Sequence, residues 1–259
     1  MIAYPDERID AMETWETARL VKDLREQTAG LARAAAAGDP EATVPTCPEW
    51  RLSDLVAHIG QALRWAADLV RKAAPLPIPD PREVDPGAPD GWERWLTDGA
   101  EELIEAVRDA GEHAEVWSVA GMVPPAFWLR RMLNDITVHH YDAAAATGAP
   151  FAISAELAAD VITEGMELLS APAAEDFKPE LAELRGSGEC LAIRPHDAEG
   201  WLISRTPDGP RWRRASGDGD VTVRGPAAEL MLVLSGRVPA REVTGDRALL
   251  DHWLARTRF

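Results

Sequence analysis

The sequence predicts an α+β protein in which a bundle of long helices precedes a smaller domain of strands and short helices. Three observations support this fold class. Apolar residues recur at helical spacing through the first half, a proline-rich stretch at 73–90 interrupts them once, and short strand-like runs begin only after Pro172. Four helices with one long connection are typical of a four-helix bundle. We therefore expect two domains, over residues 1–172 and 173–259.

The first two helices are each indicated by one apolar face. In the first helix this face is formed by residues three or four apart, namely Leu20, Leu24, Thr28 and Leu31. A loop over 44–50 should follow, and Ser53 is a plausible N-cap of the second helix, with Asp54 in its first turn. The apolar face of the second helix comprises Leu55, Ile59, Ala62, Ala66 and Leu69.

Three further helices are expected in the first 170 residues. The third has an apolar face made of Trp92, Trp95, Gly99, Leu103 and Val107. The fourth should start after Pro125 and stop at Gly148, because proline is favoured at helix starts and glycine just past helix ends. A fifth helix, over 154–169, should lead out of the bundle.

The second domain is predicted from four strand-like runs, over 190–194, 201–205, 211–215 and 221–224. A Pro-Asp-Gly sequence at 207–209 supplies turn residues between two of these runs. Two short helices, over 227–234 and 247–255, should complete a small α+β domain.

The charge of the chain argues against several kinds of partner. It has 44 acidic and 27 basic side chains, a net charge of −17. Such a surface repels nucleic-acid phosphates and anionic lipid headgroups, and no apolar run reaches the roughly 18–20 residues of a membrane span. Cys47 and Cys190 form neither a metal-binding nor a disulfide pattern, so we expect a cytoplasmic protein. We also expect it to be a monomer or homodimer that acts on a small molecule.

The fourth helix carries the residues with the clearest chemical role. Asp135, His139 and Asp142 share its inward-facing stripe, and His58 lies on the apolar face of the second helix. Two imidazoles and one carboxylate can bind a divalent metal and leave positions open for a ligand, and a metal offsets the free-energy cost of burying the carboxylate. The same spacing also fits a plain Asp–His pair, with His58 as a core residue.

Several other side chains near this group are candidates for ligand binding. Trp50, Trp65 and Trp128 could line a pocket, although aromatic stripes usually serve packing. Helix position places three arginines nearby, and we expect at least two of them to face solvent, among Arg64, Arg130 and Arg131.

Three segments resemble the mycothiol-dependent maleylpyruvate isomerase family. Residues 44–58, Val-Pro-Thr-Cys-Pro-Glu-Trp-Arg-Leu-Ser-Asp-Leu-Val-Ala-His, are similar to the start of that family's N-terminal region. Residues 134–143, Asn-Asp-Ile-Thr-Val-His-His-Tyr-Asp-Ala, resemble its His-Glu-x-x-Val-His-Arg-Trp-Asp-Ala segment. Residues 221–237, which end in Leu-Ser-Gly-Arg, are similar to part of its second domain.

The resemblance implies a DinB-like four-helix bundle followed by a sterol-carrier-protein-like α/β domain. It also implies a divalent metal, with zinc as the first candidate, bound by His58, Asp135 and His139. The implied thiol cosubstrate is mycothiol. The implied activity is attack of a metal-held thiolate on an electrophilic small molecule, by an isomerase of maleylpyruvate type or an S-transferase. We expect Trp50 to contact the cofactor, and Arg237 to bind a cofactor or substrate carboxylate in catalysis, although a structural ion pair of Arg237 is equally compatible.

Differences from the family motif keep other functions open. Asp135 replaces the family's glutamate and is one methylene shorter, so a metal would sit nearer that helix. Asn134 stands in place of the preceding histidine, and His140 in place of the usual arginine. The alternatives are a metal-dependent hydrolase with activated water and a non-enzymatic binding or regulatory protein.

Overall fold

The computed structural model describes residues 6–80, 83–118, 121–171 and 173–258, with side chains described from residue 16 onward. The chain forms two compact units, Met1–Phe151 and Ala152–Phe259. This division falls earlier than the predicted one at 172, because the fifth helix packs within the second unit. Within the described ranges, no helix is both long and apolar enough to span a lipid bilayer.

The first unit is the predicted helical bundle. Its helices are α1 (Asp6–Ala36), α2 (Leu52–Lys72), α3 (Trp92–Ala110) and α4 (Ala126–Thr147). Helices α1 and α2 each pack against both α3 and α4. The apolar faces predicted from spacing form the core, since Leu24, Leu55 and Leu103 are inaccessible to solvent.

The helix ends follow the local signals in most cases. Helix α4 begins directly after Pro125 and ends at Gly148, whose φ of 73° lies in the left-handed region that favours glycine. The prediction of Ser53 as N-cap of α2 is wrong, because the helix already begins at Leu52. Asp54 Oδ2 accepts a hydrogen bond from the Arg51 N–H at 2.9 Å, which makes Arg51 the capping position.

Two short hairpins flank the bundle helices and were not predicted. The expected loop over 44–50 is instead largely an antiparallel hairpin of β1 (Thr43–Val44) and β2 (Cys47–Arg51), with Pro45 and Thr46 in the turn. A second hairpin, β3 (Val116–Ser118) with β4 (Gly121–Val123), precedes α4. Strands this short contain too few residues for an alternating pattern to be recognised.

The second unit contains the predicted strands in one five-stranded mixed sheet. Its helices are α5 (Ala155–Leu169), α6 (Ala174–Phe177), α7 (Ala227–Leu234) and α8 (Arg247–Thr257). Its strands are β5 (Cys190–Pro195), β6 (Trp201–Thr206), β7 (Gly209–Arg214), β8 (Val221–Gly225) and β9 (Glu242–Gly245). The strand order is β7-β6-β5-β8-β9, and of the four pairings only that of β5 with β8 is parallel. The α+β class is therefore confirmed.

One strand of this sheet was not predicted from the sequence. Strand β9 lies at an edge of the sheet and is mostly exposed. Its Glu242 and Thr244 side chains are polar, so the strand lacks the clear pattern of apolar residues by which the other strands were predicted. Trp201 of β6 is fully buried, and its indole N–H donates to Thr163 Oγ1 of α5 at 3.3 Å. This bond ties α5 to the sheet of its own unit.

Candidate metal centre

The structure brings together the three side chains that the sequence proposed as metal ligands. His58 extends from α2, and Asp135 and His139 extend from α4, one turn apart. One ligand atom from each lies within 4.8 Å of the others. The His58 Nε2 is 3.8 Å from Asp135 Oδ2, and the two imidazole centroids are 5.2 Å apart. This group could therefore hold a single metal ion.

His139 is oriented by a buried carboxylate. Its Nδ1 lies 2.8 Å from Asp142 Oδ2, and the Asp142 side chain is completely inaccessible to solvent. An ionised carboxylate only accepts hydrogen bonds, so Nδ1 carries the proton and Nε2 presents its lone pair. A carboxylate that fixes the tautomer of a histidine in this way is the usual companion of a metal-binding imidazole.

Asp135 carries its own counterion. Arg131, one turn earlier on α4, donates from Nη2 to Asp135 Oδ1 at 2.7 Å. Burial raises the pKa of Asp135, but the positive charge of Arg131 and the interactions with His139 and His58 outweigh burial, and the pKa lies below its ordinary value. Asp135 is therefore ionised at neutral pH, and its Oδ2 faces His58.

His58 is a neutral imidazole in this environment. Burial lowers its pKa to about 4, the charge of Asp135 acts in the opposite direction, and His139 lowers the pKa further. Neutral imidazole is the form that binds metal. Two imidazoles and one carboxylate are a donor set that suits zinc and similar divalent ions, so the residues present fit a metal.

An aromatic side chain lies beside the ligand group. Trp50, on β2, has its ring 4.9 Å from that of His58 and 5.9 Å from that of His139, and it stacks on His139 at an interplanar angle of 23°. The other two candidate tryptophans form a pair, because Trp65 and Trp128 meet edge to face at 5.3 Å. Trp65 lies about two turns after His58 on α2, and Trp128 lies about two turns before Asp135 on α4, which packs against α2.

The arginine prediction needs correction. At least two of Arg64, Arg130 and Arg131 were expected to face solvent, yet all three are partly buried, and Arg64 and Arg131 each have only 26% of the side chain exposed. Arg64 donates to the carbonyl oxygens of Gly60 and Trp95 and lies 3.9 Å from the Trp95 ring centroid. Partly buried carbonyl and carboxylate acceptors hold both guanidinium groups against the bundle, which position along a helix alone does not reveal.

Two contributors to the site were missed. Thr46, in the turn of the first hairpin, donates from Oγ1 to Asp142 Oδ1 at 2.6 Å. These residues are 96 positions apart, and no pattern in the chain links them. Arg131 was recognised as near the site but not as the partner of Asp135, although its position four residues before a carboxylate on one helix was a usable signal.

His140 is directed away from the ligand group. Its Nδ1 lies 2.9 Å from Gln27 Oε1 on α1, and its ring contacts that of Phe151. Burial, with a contribution from Arg33, lowers the pKa of His140 to about 4. The residue that replaces the family's arginine thus packs between helices.

Arg237 follows α7 in the second unit. It is partly buried, and its Nη1 donates to the backbone oxygen of Ser235 at 2.7 Å. Its role in ligand binding stays a prediction.

The fold and this cluster define a class of two-domain proteins in which a helical bundle with a possible His/Asp metal site precedes a five-stranded mixed sheet. The chain belongs to the mycothiol maleylpyruvate isomerase family. The family model described as mycothiol maleylpyruvate isomerase N-terminal domain matches residues 21–144, and the model of the MDMPI C-terminal domain matches residues 156–252. The resemblance seen in the sequence is thereby confirmed.

Solved structures of this family share the fold. A crystal structure of the mycothiol-dependent maleylpyruvate isomerase matches with a TM-score of 0.59 at 16% identity, covering 88% of this chain and 92% of the other. The structure of a histidine-to-alanine mutant of that enzyme matches with a TM-score of 0.58 at 17% identity, covering 86% and 90%. Among curated proteins, none matches the chain significantly.

Proposed function

We propose that this chain is a metal-dependent enzyme that uses a thiol cosubstrate of the mycothiol type on an electrophilic small molecule, as an isomerase of maleylpyruvate type or an S-transferase. The main support for the proposal is that His58, Asp135 and His139 lie close enough together to bind one metal ion, in a member of this family. A divalent metal, with zinc as the first candidate, would keep a bound thiol as thiolate at neutral pH. A free thiol, with a pKa of about 8.5, is mostly protonated at that pH.

The protein's own residues would prepare the site in three ways. His58, Asp135 and His139 would hold the metal. Asp142 keeps the proton of His139 on Nδ1, and Arg131 fixes one oxygen of Asp135, so the ligand atoms are oriented before any metal arrives. Preorganised ligands of this kind reduce the reorganisation that binding would otherwise require.

Trp50 would form the wall against which the thiol cosubstrate lies. Its ring contacts both imidazoles, so a ligand that approaches the metal must pass close to it. An apolar wall limits the access of water, which favours attack by a thiolate over attack by hydroxide.

Arg237 would bind a carboxylate of the substrate or cosubstrate. A guanidinium suits this role because its parallel N–H groups match the two carboxylate oxygens. The Ser235 carbonyl fixes one arm of the Arg237 side chain, which limits its rotamers.

The setting would be a reducing cytoplasm, with the protein as monomer or homodimer and neither nucleic acid nor membrane as partner. Cys47 and Cys190 are not joined in a disulfide, which is compatible with that compartment. The net charge of −17 supports a small-molecule substrate over a polyanion.

Thiol dependence of turnover tests the proposed function. Zinc-loaded protein is assayed with unsaturated acids and other electrophiles, with and without mycothiol, beside a His139→Ala variant and the surface variant Arg94→Gln. The proposal predicts turnover that requires mycothiol, is lost in His139→Ala and persists in Arg94→Gln. Products without sulphur would indicate an isomerase, and sulphur adducts an S-transferase.

Other outcomes would contradict the proposal and identify its alternatives. Hydrolysis that proceeds equally without thiol would indicate a metal-dependent hydrolase. Metal-loaded protein that turns over none of these compounds but binds them would indicate a binding or regulatory member of the family.

A further inference from the structure

The first hairpin touches the candidate metal centre at two points. At its turn, the Thr46 hydroxyl donates to Asp142 Oδ1 at 2.6 Å. On its second strand, Trp50 stacks on His139 with ring centroids 5.9 Å apart. The hairpin has only two paired strands, which are marginally stable by themselves, so contacts to α4 must help to hold it.

A continuous path of hydrogen bonds runs from the hairpin turn to a proposed metal ligand. Thr46 Oγ1 donates to one oxygen of Asp142, and the other oxygen of Asp142 is 2.8 Å from His139 Nδ1. The side chain of Asp142 is inaccessible to solvent, so bulk water is not available to replace a lost donor. The position of the hydroxyl therefore helps to set the plane of the carboxylate, and the carboxylate sets the ring of His139.

The bond of the partly buried Thr46 differs from those of the fully buried threonines in this unit. Thr28 and Thr137 each donate to the backbone oxygen four residues earlier in their own helix, at 2.7 Å. Such bonds are the usual way in which a helical threonine satisfies its hydroxyl. Thr46 instead reaches a carboxylate on another element, which is a charge-assisted and more directional contact.

We propose that Thr46 is a positioning residue of the metal centre, which orients His139 through Asp142 and couples metal binding to the order of the hairpin that carries Trp50. This inference rests on the proposed metal site. Coupling between two events is reciprocal, so a hairpin contact that strengthens metal binding must itself be strengthened when metal binds. Removing the hydroxyl should weaken metal binding without touching a ligand.

The test compares metal affinity in Thr46→Val, which keeps the shape, with Thr46→Ser, which keeps the hydroxyl. Affinity is measured by competition with a chromophoric zinc chelator, and the visible spectrum of the cobalt-substituted protein reports ligand geometry. Thr46→Val should bind zinc about tenfold more weakly and should shift the absorption bands of bound cobalt. A tenfold decrease is at the lower end of the loss of metal affinity seen when a hydrogen-bond partner of a metal ligand is removed. Thr46→Ser should match wild type.

Thr28→Val is the matched control, because it removes a buried hydroxyl from the same unit without a path to the ligands. It should keep wild-type affinity. Amide exchange of the segment 43–51 gives a second readout, since metal should slow it in wild type and have less effect in Thr46→Val. If Thr46→Val proves unstable, Thr46→Ala with the same two readouts replaces it.

The inference and the proposed function fail in different ways. Wild type that binds no zinc or cobalt would overturn the metal site and, with it, the role of Thr46. Wild type that binds metal, with equal affinity in Thr46→Val, would overturn the role of Thr46 alone. Equal weakening in Thr46→Val and Thr46→Ser would show that the hydroxyl is not responsible, and would also overturn it.

Discussion

Arg131 Nη2 lies 2.7 Å from Asp135 Oδ1, so the carboxylate proposed as a metal ligand is already paired with a guanidinium on its own helix. The other carboxylate oxygen, Oδ2, faces His58 at 3.8 Å. The two oxygens of one side chain thus have separate partners. Without metal, Arg131 is the nearest compensating charge for a carboxylate that burial would otherwise penalise.

We predict that Arg131→Gln destabilises the metal-free protein and enlarges the stabilisation that metal provides. Removing one partner of a partly buried ion pair leaves the other uncompensated, and the free energy of unfolding should fall by about 1–3 kcal/mol. Metal would then supply the missing positive charge. Thermal unfolding with and without zinc measures both effects.

Arg94→Gln is the control for this experiment. Arg94 and Asp98 form a pair with the same four-residue spacing, but their side chains are 87% and 59% exposed. Such surface pairs contribute about 0–1 kcal/mol. If the two variants lose the same small amount of stability, Arg131 is not the counterion that we describe.

We predict that stability falls as the pH decreases from about 6.5 to about 4. The pKa of buried His140 is lowered to about 4, while an imidazole in the unfolded chain titrates near 6.5. Between these values the unfolded state binds a proton that the folded state does not, so the stabilisation is complete above about pH 6.5 and declines below it. His58, also with a pKa of about 4, adds to this slope in metal-free protein.

The His140→Gln variant isolates one part of that pH dependence. It should reduce the slope by up to about 1.4 kcal/mol per pH unit, the value for one proton. Urea unfolding of metal-free protein across this range measures the slope, with His113→Gln, which changes an exposed side chain, as the control. An unchanged slope in His140→Gln would show that His140 is not the titrating group.

Gly30 provides a test of the packing between α1 and α4. A Cβ at Gly30 would lie 2.4 Å from His140 Cε1, and the ring is held by Gln27 and Phe151. Gly30→Ala should therefore destabilise the protein by about 1–2 kcal/mol, although alanine favours helix by about 1 kcal/mol. Gly165→Ala, where no atom lies within 4 Å, should be neutral or stabilising. Equal effects of the two substitutions in denaturant unfolding would contradict this packing.

Arg237→Ala should reduce turnover while leaving the metal in place. Loss of one charge-assisted hydrogen bond to a carboxylate corresponds to at least about a tenfold decrease in kcat/KM. Arg241→Ala, which removes an exposed guanidinium from the same unit, is the control. Unchanged kinetics in Arg237→Ala, with full metal content, would remove Arg237 from the proposed mechanism.

Much of the fold was predictable because its helices are long and their apolar faces regular. The boundaries of α4 were predictable from Pro125 and Gly148, which act locally on the backbone. The first hairpin was not, because its pairing spans few residues and its stability depends on contacts with α4. The expected boundary at 172 lies after α5, whereas the compact units divide before it, because the packing of α5 against α7 leaves no signal in the sequence.

The ligand candidates were predictable from helix periodicity, whereas their partners were not. Asp135 and His139 share one face of α4, and His58 lies on the inward face of α2, so helix geometry and family resemblance both pointed to them. Thr46 is distant in sequence from Asp142, and only the folded hairpin brings its hydroxyl there. The four-residue spacing made a pair of Arg131 with Asp135 possible. Whether Arg131 binds this carboxylate or extends into solvent depends on the burial of Asp135, which the sequence does not show.

The central claim is that His58, Asp135 and His139 bind one divalent metal. The most direct test is elemental mass spectrometry of protein purified without a metal-binding tag, for wild type, His58→Ala and His139→Ala. We predict about one equivalent of zinc or a similar metal in wild type, and its loss in both variants while circular dichroism shows that they remain folded. No stoichiometric metal in wild type, even after zinc is added back, would contradict the account.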